Sequence, residues 1–130
     1  MSLFTKNKKV LIIDDEPELV EIYSESLKNA GYSVIIDGNG ADGLKLARSE
    51  KPDLILLDLK MPQMPGLEVM AKIKEDPTLK DLKVVFLTAF SDPLLPAIDT
   101  PYAQYAGAKD LIKKGVGLDE FISKVKSYIG

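Results

Sequence analysis

The chain has 130 residues, a formal net charge of −3, and neither cysteine nor histidine. Its acidic balance argues against direct binding to nucleic acid or to an anionic membrane surface, and no apolar run approaches the roughly 20 residues of a membrane span. Without cysteine there is no disulfide framework and no thiolate metal site, which suits the cytoplasm. We expect one cytoplasmic domain at 1–130, with an ordered core at about 8–129 and a tail at 1–7 that can include residues left from cloning.

Five short apolar runs divide the chain into repeating units. Each has the length of a strand, and the aliphatic residues do not alternate cleanly with polar ones. This pattern is typical of strands buried on both faces, as in a parallel sheet covered by helices. The runs are VLIID from Val10, YSVIID from Tyr32, DLILLD from Asp53, KVVFLT from Lys83 and KDLIKK from Lys109.

Segments of helical period separate the five runs. In the first segment, Pro17 suits an opening helical turn and Gly31 suits a left-handed stop. The second and third segments read GADGLKLARSE and GLEVMAKIKE. The first and last helices carry apolar stripes that predict a buried face. These stripes are Leu19, Ile22, Tyr23, Leu27 and Ala30 in the first helix, and Leu118, Phe121, Ile122, Val125 and Ile129 in the last.

Strands that alternate with helices in this way predict a fold of the α/β class. Right-handed crossovers give a flavodoxin-like, doubly wound sandwich of three layers, with five parallel strands in the order 2-1-3-4-5. In such sheets the functional crevice lies beyond the carboxyl ends of the strands, where the strand order reverses. Strands 1, 3, 4 and 5 end in Asp14 and Asp15, Asp58, Thr88 and Lys114, whereas Asp37 closes the outer strand 2 and is assigned to a turn.

These strand-end residues predict a site for a metal ion and a phosphoryl group. Three carboxylates in one crevice repel each other unless a cation compensates their charge. Mg²⁺ prefers oxygen ligands and usually takes one or two protein carboxylates together with phosphate oxygens. Lys114 could face the oxygens of a phosphoryl group as a point charge, and the hydroxyl of Thr88 could donate to another oxygen.

Each of these residues also has a simpler explanation. Asp15 or Glu16 could cap the first helix, which is the commonest role of an acidic residue before a proline at a helix start. Asp58 could be an ordinary carboxylate at a turn, and Lys114, with Lys113 beside it, could be a solvated surface lysine. Their joint occurrence at the ends of four adjacent strands favours the functional interpretation.

Four segments of the sequence resemble the receiver domain of bacterial two-component response regulators. They are VLIIDDEPELV, PDLILLDLKMPQMPGLEVM, VVFLTA and GAKDLIKK, the last of which precedes an amphipathic helix. The similarity runs from about Lys8 to Ile129, and the second segment is the most specific. The resemblance implies the same doubly wound fold.

The resemblance also implies a role for each residue of the predicted site. Asp58 would be the phosphoacceptor, and Mg²⁺ would be the cofactor. Thr88 and Lys114 would be the switch hydroxyl and the lysine that contacts the phosphoryl group. The implied metal ligands are Asp14, Asp15, Asp58 and the backbone carbonyl of Lys60.

A signalling switch is the function that this resemblance implies. Because the chain has no histidine, the phosphoryl donor would be a phosphohistidine on a sensor histidine kinase or histidine phosphotransferase, or a small acyl phosphate. The protein would take a catalytic part in its own phosphorylation and dephosphorylation without being an enzyme that turns over an external metabolite. An output domain or target protein would read the phosphorylated state, and homodimerisation stays open.

The sequence departs from the family pattern in three places. Gly115 stands where a proline usually follows the lysine, and Leu111 stands where an aromatic residue commonly reports the state of the threonine. The segment between strands 4 and 5 is longer than usual, and its prolines predict a short, displaced or broken fourth helix. These prolines are Pro93, Pro96 and Pro101. Phe90, two residues after the threonine, is predicted to shield the acyl phosphate from water.

Two other functions compete with the switch. A degenerate receiver could keep the acidic pocket and act as a constitutive protein-interaction module. The chain could instead be a phosphatase of the haloacid dehalogenase type, which forms an aspartyl phosphate on its nucleophile. That class requires an acid two residues after the nucleophile, where this sequence has Lys60, so this interpretation is disfavoured.

Overall fold

A computed structural model of the chain describes residues 7–89, 103–104 and 106–130. Five strands and four complete helices lie within these residues. The strands are β1 (Lys9–Ile13), β2 (Ser33–Asp37), β3 (Leu54–Asp58), β4 (Lys83–Thr88) and β5 (Asp110–Lys113). The helices are α1 (Pro17–Asn29), α2 (Gly40–Glu50), α3 (Gly66–Glu75) and α4 (Leu118–Ile129). The second and third helices have the predicted bounds.

The five strands form one parallel sheet in the order β2-β1-β3-β4-β5. This order confirms the predicted doubly wound fold. All five residues of the central strand β3 are buried, because helices cover both faces of the sheet. Alternate residues of β1 serve two separate cores: Val10 and Ile12 pack with α1 and α4, whereas Leu11 and Ile13 pack with α2 and α3. The sheet is thus the middle layer of three.

Local sequence explains where the helices begin and end. Pro17 occupies the start of α1, where its missing N–H group leaves no hydrogen bond unmade. Gly31, with φ 100°, follows the end of that helix in the left-handed region that favours glycine. At α2, the side chain of Asn39 accepts hydrogen bonds from the N–H groups of Ala41 and Asp42 at 2.8 and 3.2 Å.

Eight of the ten residues in the predicted apolar stripes of the first and last helices are buried or half-buried. Tyr23 of α1 stacks on Phe121 of α4 with ring centroids 4.2 Å apart, which joins the two helices on one face of the sheet. The prediction of burial was wrong for two residues of the stripes, since Ile22 is 48% exposed and Leu118 is 42% exposed. An apolar stripe is wider than the strip of helix surface that its neighbours cover, so residues at its edge remain in solvent.

The predicted fourth helix and its prolines Pro93, Pro96 and Pro101 lie outside the described residues, as does Phe90. The expectations for that segment stay predictions. Ala103 and Gln104 are helical, and the side chain of Ala103 is buried in the core beside α2 and α3. Within the described part of the chain, every helix is too short or too polar to cross a membrane.

Candidate functional site

The predicted site residues lie together at the carboxyl ends of the strands. Asp14 directly follows β1, Asp58 ends β3, Thr88 ends β4 and Lys114 directly follows β5. The N–H group of Lys114 donates to the carbonyl of Thr88 at 2.7 Å, and that of Asp14 to the carbonyl of Asp37 at 3.0 Å. All four side chains are buried, although ionisable groups are rarely buried without partners. The sheet itself therefore fixes their relative positions.

Three carboxylates surround the ammonium group of Lys114. Its Nζ atom lies 2.6 Å from Oε1 of Glu16, 2.9 Å from Oδ2 of Asp14 and 3.2 Å from Oδ2 of Asp58. Only the contact with Glu16 has the geometry of a hydrogen bond. Since one ammonium faces three carboxylates, the cluster has an excess of negative charge that one further cation would reduce.

Backbone N–H groups orient the two buried aspartates in the same way. The N–H of Glu16 donates to Oδ1 of Asp14 at 2.9 Å, and the N–H of Lys60 donates to Oδ1 of Asp58 at 3.0 Å. In each case the donor lies two residues after the aspartate, so the turn that follows the strand fixes the carboxylate. The other oxygen of each aspartate is buried, has no hydrogen bond with a described residue, and faces Lys114.

Burial and neighbouring charges shift two pKa values in the cluster. Burial and the charge of Asp14 raise the pKa of Asp58 to about 7. Burial alone would lower the pKa of Lys114, but its hydrogen bond to Glu16 and the carboxylates of Asp14 and Asp58 raise it above the ordinary value. The lysine thus stays charged at neutral pH. A further cation beside Asp58 would lower the pKa of its carboxyl group and favour the ionised form.

Gly66 lets the start of α3 pack directly against the end of β3. A Cβ atom at this position would lie 2.3 Å from the carbonyl oxygen of Asp58 and 2.7 Å from Cα of Leu59. The N–H of Gly66 donates to the carbonyl of Leu59 at 3.0 Å. The glycine in MPQMPG is therefore required by the backbone that carries Asp58.

A crevice of about 540 Å³ opens beside these groups. Its walls include Asp15, Glu16, Asp58, Lys60, Met61, Pro62, Ala89 and Lys114. Within the described chain, Asp14, Glu16 and Asp58 each offer a carboxylate oxygen, and these oxygens lie within 4.8 Å of one another. An all-oxygen donor set, with two buried oxygens that have no hydrogen bond to any described residue, fits a hard divalent cation such as Mg²⁺.

Glu16 is the site residue that the sequence reasoning missed. It was considered only as a helix cap, yet it occupies the N-cap position of α1 without any capping hydrogen bond from its side chain. The chain bends at Asp15, and the N–H of Glu16 donates to Oδ1 of Asp14 at 2.9 Å across this turn. Glu16 therefore joins Asp14, while Asp15 between them is exposed at the rim of the crevice. The part of Asp15 in metal binding stays a prediction.

Three other residues singled out in the sequence have clear structural settings. Asp37 accepts a hydrogen bond from the N–H of Asn39 at 2.8 Å, which confirms its assignment to a turn. Gly115 has φ 99°, a conformation that proline cannot adopt because its ring fixes φ near −65°. Leu111 is buried in the core beside α2 and α3 and is paired in register with Phe86, so an aliphatic side chain fills the position of the usual aromatic residue.

The fold and the site together define a doubly wound α/β domain with a buried acidic crevice at the switch point of its sheet. Residues 10–126 match the family model described as the response regulator receiver domain. The chain belongs to this family, the receiver domains of two-component response regulators.

Similar proteins are found among curated sequences and solved structures. The polar-differentiation response regulator DivK of Brucella anthropi is 33% identical over 123 residues, which cover 95% of this chain and 97% of DivK. The response regulator TrrA of Thermotoga maritima, solved in complex with Mg²⁺ and BeF, is 34% identical with a TM-score of 0.78, covering 93% of this chain and 98% of TrrA. A CheY-like receiver domain protein of Methanospirillum hungatei is 26% identical with a TM-score of 0.82, covering 95% and 94%.

Proposed function

We propose that this protein is a phosphoryl-accepting signalling switch in which Asp58 takes a phosphoryl group with the help of Mg²⁺. The observation that carries the proposal is the setting of Asp58. Its Oδ1 atom is fixed by the N–H of Lys60 at 3.0 Å, and its buried Oδ2 atom faces Lys114 at 3.2 Å and has no hydrogen bond with a described residue. Asp58 also lines the crevice, so a group that enters the crevice meets a carboxylate whose orientation is fixed.

The reaction transfers the phosphoryl group from nitrogen to oxygen. An oxygen of Asp58 attacks phosphorus, a P–O bond forms, the P–N bond to the imidazole of the donor breaks, and its electron pair stays on that nitrogen. Lys114 and the hydroxyl of Thr88 face the phosphoryl oxygens, so this chain contributes positioning and electrostatic stabilisation. Mg²⁺, when bound by Asp14, Asp15, Asp58 and the backbone carbonyl of Lys60, would neutralise charge on the transferring oxygens.

The donor in this proposal is a phosphohistidine on a sensor histidine kinase or a histidine phosphotransferase, because receiver domains interact with such proteins and this chain has no histidine. The protein works in the cytoplasm and takes part in its own phosphorylation without turning over an external metabolite. The solved complex of TrrA with Mg²⁺ and BeF supports this chemistry in a protein 34% identical to this one. Phosphorylation then shifts a two-state equilibrium that an output domain or target protein reads.

Intact mass spectrometry after brief exposure to acetyl phosphate tests the proposal. We expect a single phosphoryl adduct on the wild type that requires Mg²⁺ and is absent from Asp58→Asn. Asp37→Asn is the matched control, since Asp37 also ends a strand but lies at the outer strand β2. An adduct that forms on Asp58→Asn, or no adduct on the wild type at the shortest times with Mg²⁺ present, would contradict the proposal.

A constitutive interaction module is the second candidate, and the burial of Leu111 in place of an aromatic switch residue favours it. In that case the partner would bind phosphorylated and unphosphorylated protein equally well. A partner whose affinity changes on phosphorylation would exclude this candidate.

A further inference from the structure

Glu16 makes the shortest contact with Lys114, although the ion pair between them has no part in the proposed reaction. The ammonium donates to Oε1 of Glu16 at 2.6 Å, while its contacts with Asp14 and Asp58 are longer. The side chain of Glu16 is 55% exposed and that of Lys114 is 6% exposed. Glu16 therefore has room to move at the mouth of the crevice, whereas the lysine is confined within it.

Phosphorylation would change what Lys114 faces. A phosphoryl group on Asp58 brings anionic oxygens next to a carboxylate that already lies 3.2 Å from the ammonium. These oxygens compete with Glu16 for the compact point charge of the lysine. They also repel the carboxylate of Glu16, because like charges a few ångströms apart in a partly buried site interact unfavourably.

We infer that Glu16 is a positioning residue that stabilises the unphosphorylated state by holding Lys114, and that phosphorylation of Asp58 breaks this ion pair. The inference rests on the proposed function and extends it to the regulation of the same site. An interaction made in only one of two states shifts the equilibrium towards that state by its own free energy. Since one partner is half exposed, the expected shift is small, about three-fold.

The test compares Glu16→Gln with the wild type and with Glu18→Gln. Glu18→Gln is the matched control, because Glu18 is an exposed acidic residue in the first turn of α1. The first measurement is the NMR signal of the Lys114 ammonium in Mg²⁺-free protein, assigned by its loss in Lys114→Arg. It should shift in Glu16→Gln and stay in place in Glu18→Gln, because only the first substitution removes the carboxylate charge that faces the ammonium.

The second measurement is the affinity for beryllofluoride, a phosphoryl mimic, at Mg²⁺ concentrations that saturate each variant. We expect Glu16→Gln to bind about three-fold more tightly than the wild type, with Glu18→Gln unchanged. Equal or weaker binding by Glu16→Gln would overturn the inference, as would an unchanged ammonium signal. Failure of the wild type to bind beryllofluoride is a different result, because it would overturn the proposed function and the inference with it.

Discussion

Replacing Gly66 with alanine should destabilise the protein at the point where Asp58 is held. The new Cβ atom would lie 2.3 Å from the carbonyl oxygen of Asp58 and 2.7 Å from Cα of Leu59. Both neighbours are backbone atoms of a buried segment, so neither can rotate away as a flexible side chain would. The clash can be relieved only if α3 moves away from the end of β3. We expect a loss of about 2 kcal/mol in the free energy of unfolding, within the usual range for overpacking.

Gly117→Ala is the matched control for this substitution. Gly117 lies at the N-cap of α4, whereas Gly66 is the first residue of α3, and a Cβ atom at Gly117 would meet nothing within 4 Å. Urea denaturation followed by circular dichroism measures both variants. Gly117→Ala should change the free energy of unfolding by no more than about 0.5 kcal/mol. Equal stabilities of the two variants would refute the argument that close backbone packing at Gly66 positions Asp58.

Three further predictions concern the core, a surface carboxylate and the crevice. Phe121→Ala should cost about 3–5 kcal/mol in urea denaturation, whereas Leu118→Ala, at an exposed position, should cost far less. Hydrogen bonds from Thr78 and Arg48 lower the pKa of Asp76 from 3.8 to about 2. The ionised carboxylate therefore stabilises the fold above pH 3.8, and this stabilisation is lost as the pH falls through 2. Asp76→Asn should reduce the fall in melting temperature over this acidic range. Lys114→Met leaves two buried carboxylates uncompensated and should cost about 3 kcal/mol without divalent cations, part of which Mg²⁺ restores in the same urea assay.

The fold and the place of the site could be predicted because both depend on local patterns. Apolar runs of strand length alternate with helical periods, which leaves few topologies. Parallel strands place their carboxyl ends at one edge of the sheet, so the residues after β1 and β5 and at the ends of β3 and β4 had to meet there. The predicted bounds of α2 and α3 hold because glycine starts both helices and polar residues end them.

The role of Glu16 could not be predicted with the same ease. A carboxylate before Pro17 has a local explanation as a helix cap, and the contact that replaces it is with Lys114, 98 positions along the chain. The turn after β1, in which the N–H of Glu16 donates to Asp14, brings Glu16 to the same side as Asp14. The exposure of Ile22 was missed for a related reason, since periodicity gives the direction of a side chain but not the extent of what covers it.

Chemical mapping of the phosphoryl group tests the central claim most directly. Borohydride reduces an aspartyl phosphate to homoserine, and peptide sequencing by mass spectrometry then locates the converted residue after treatment with acetyl phosphate and Mg²⁺. We predict conversion at Asp58 alone, none without Mg²⁺, and none at Asp53, which precedes the same strand and is exposed. Conversion at Asp53, at Asp14 or at Asp15 in place of Asp58 would contradict the assignment of Asp58 as the phosphoacceptor.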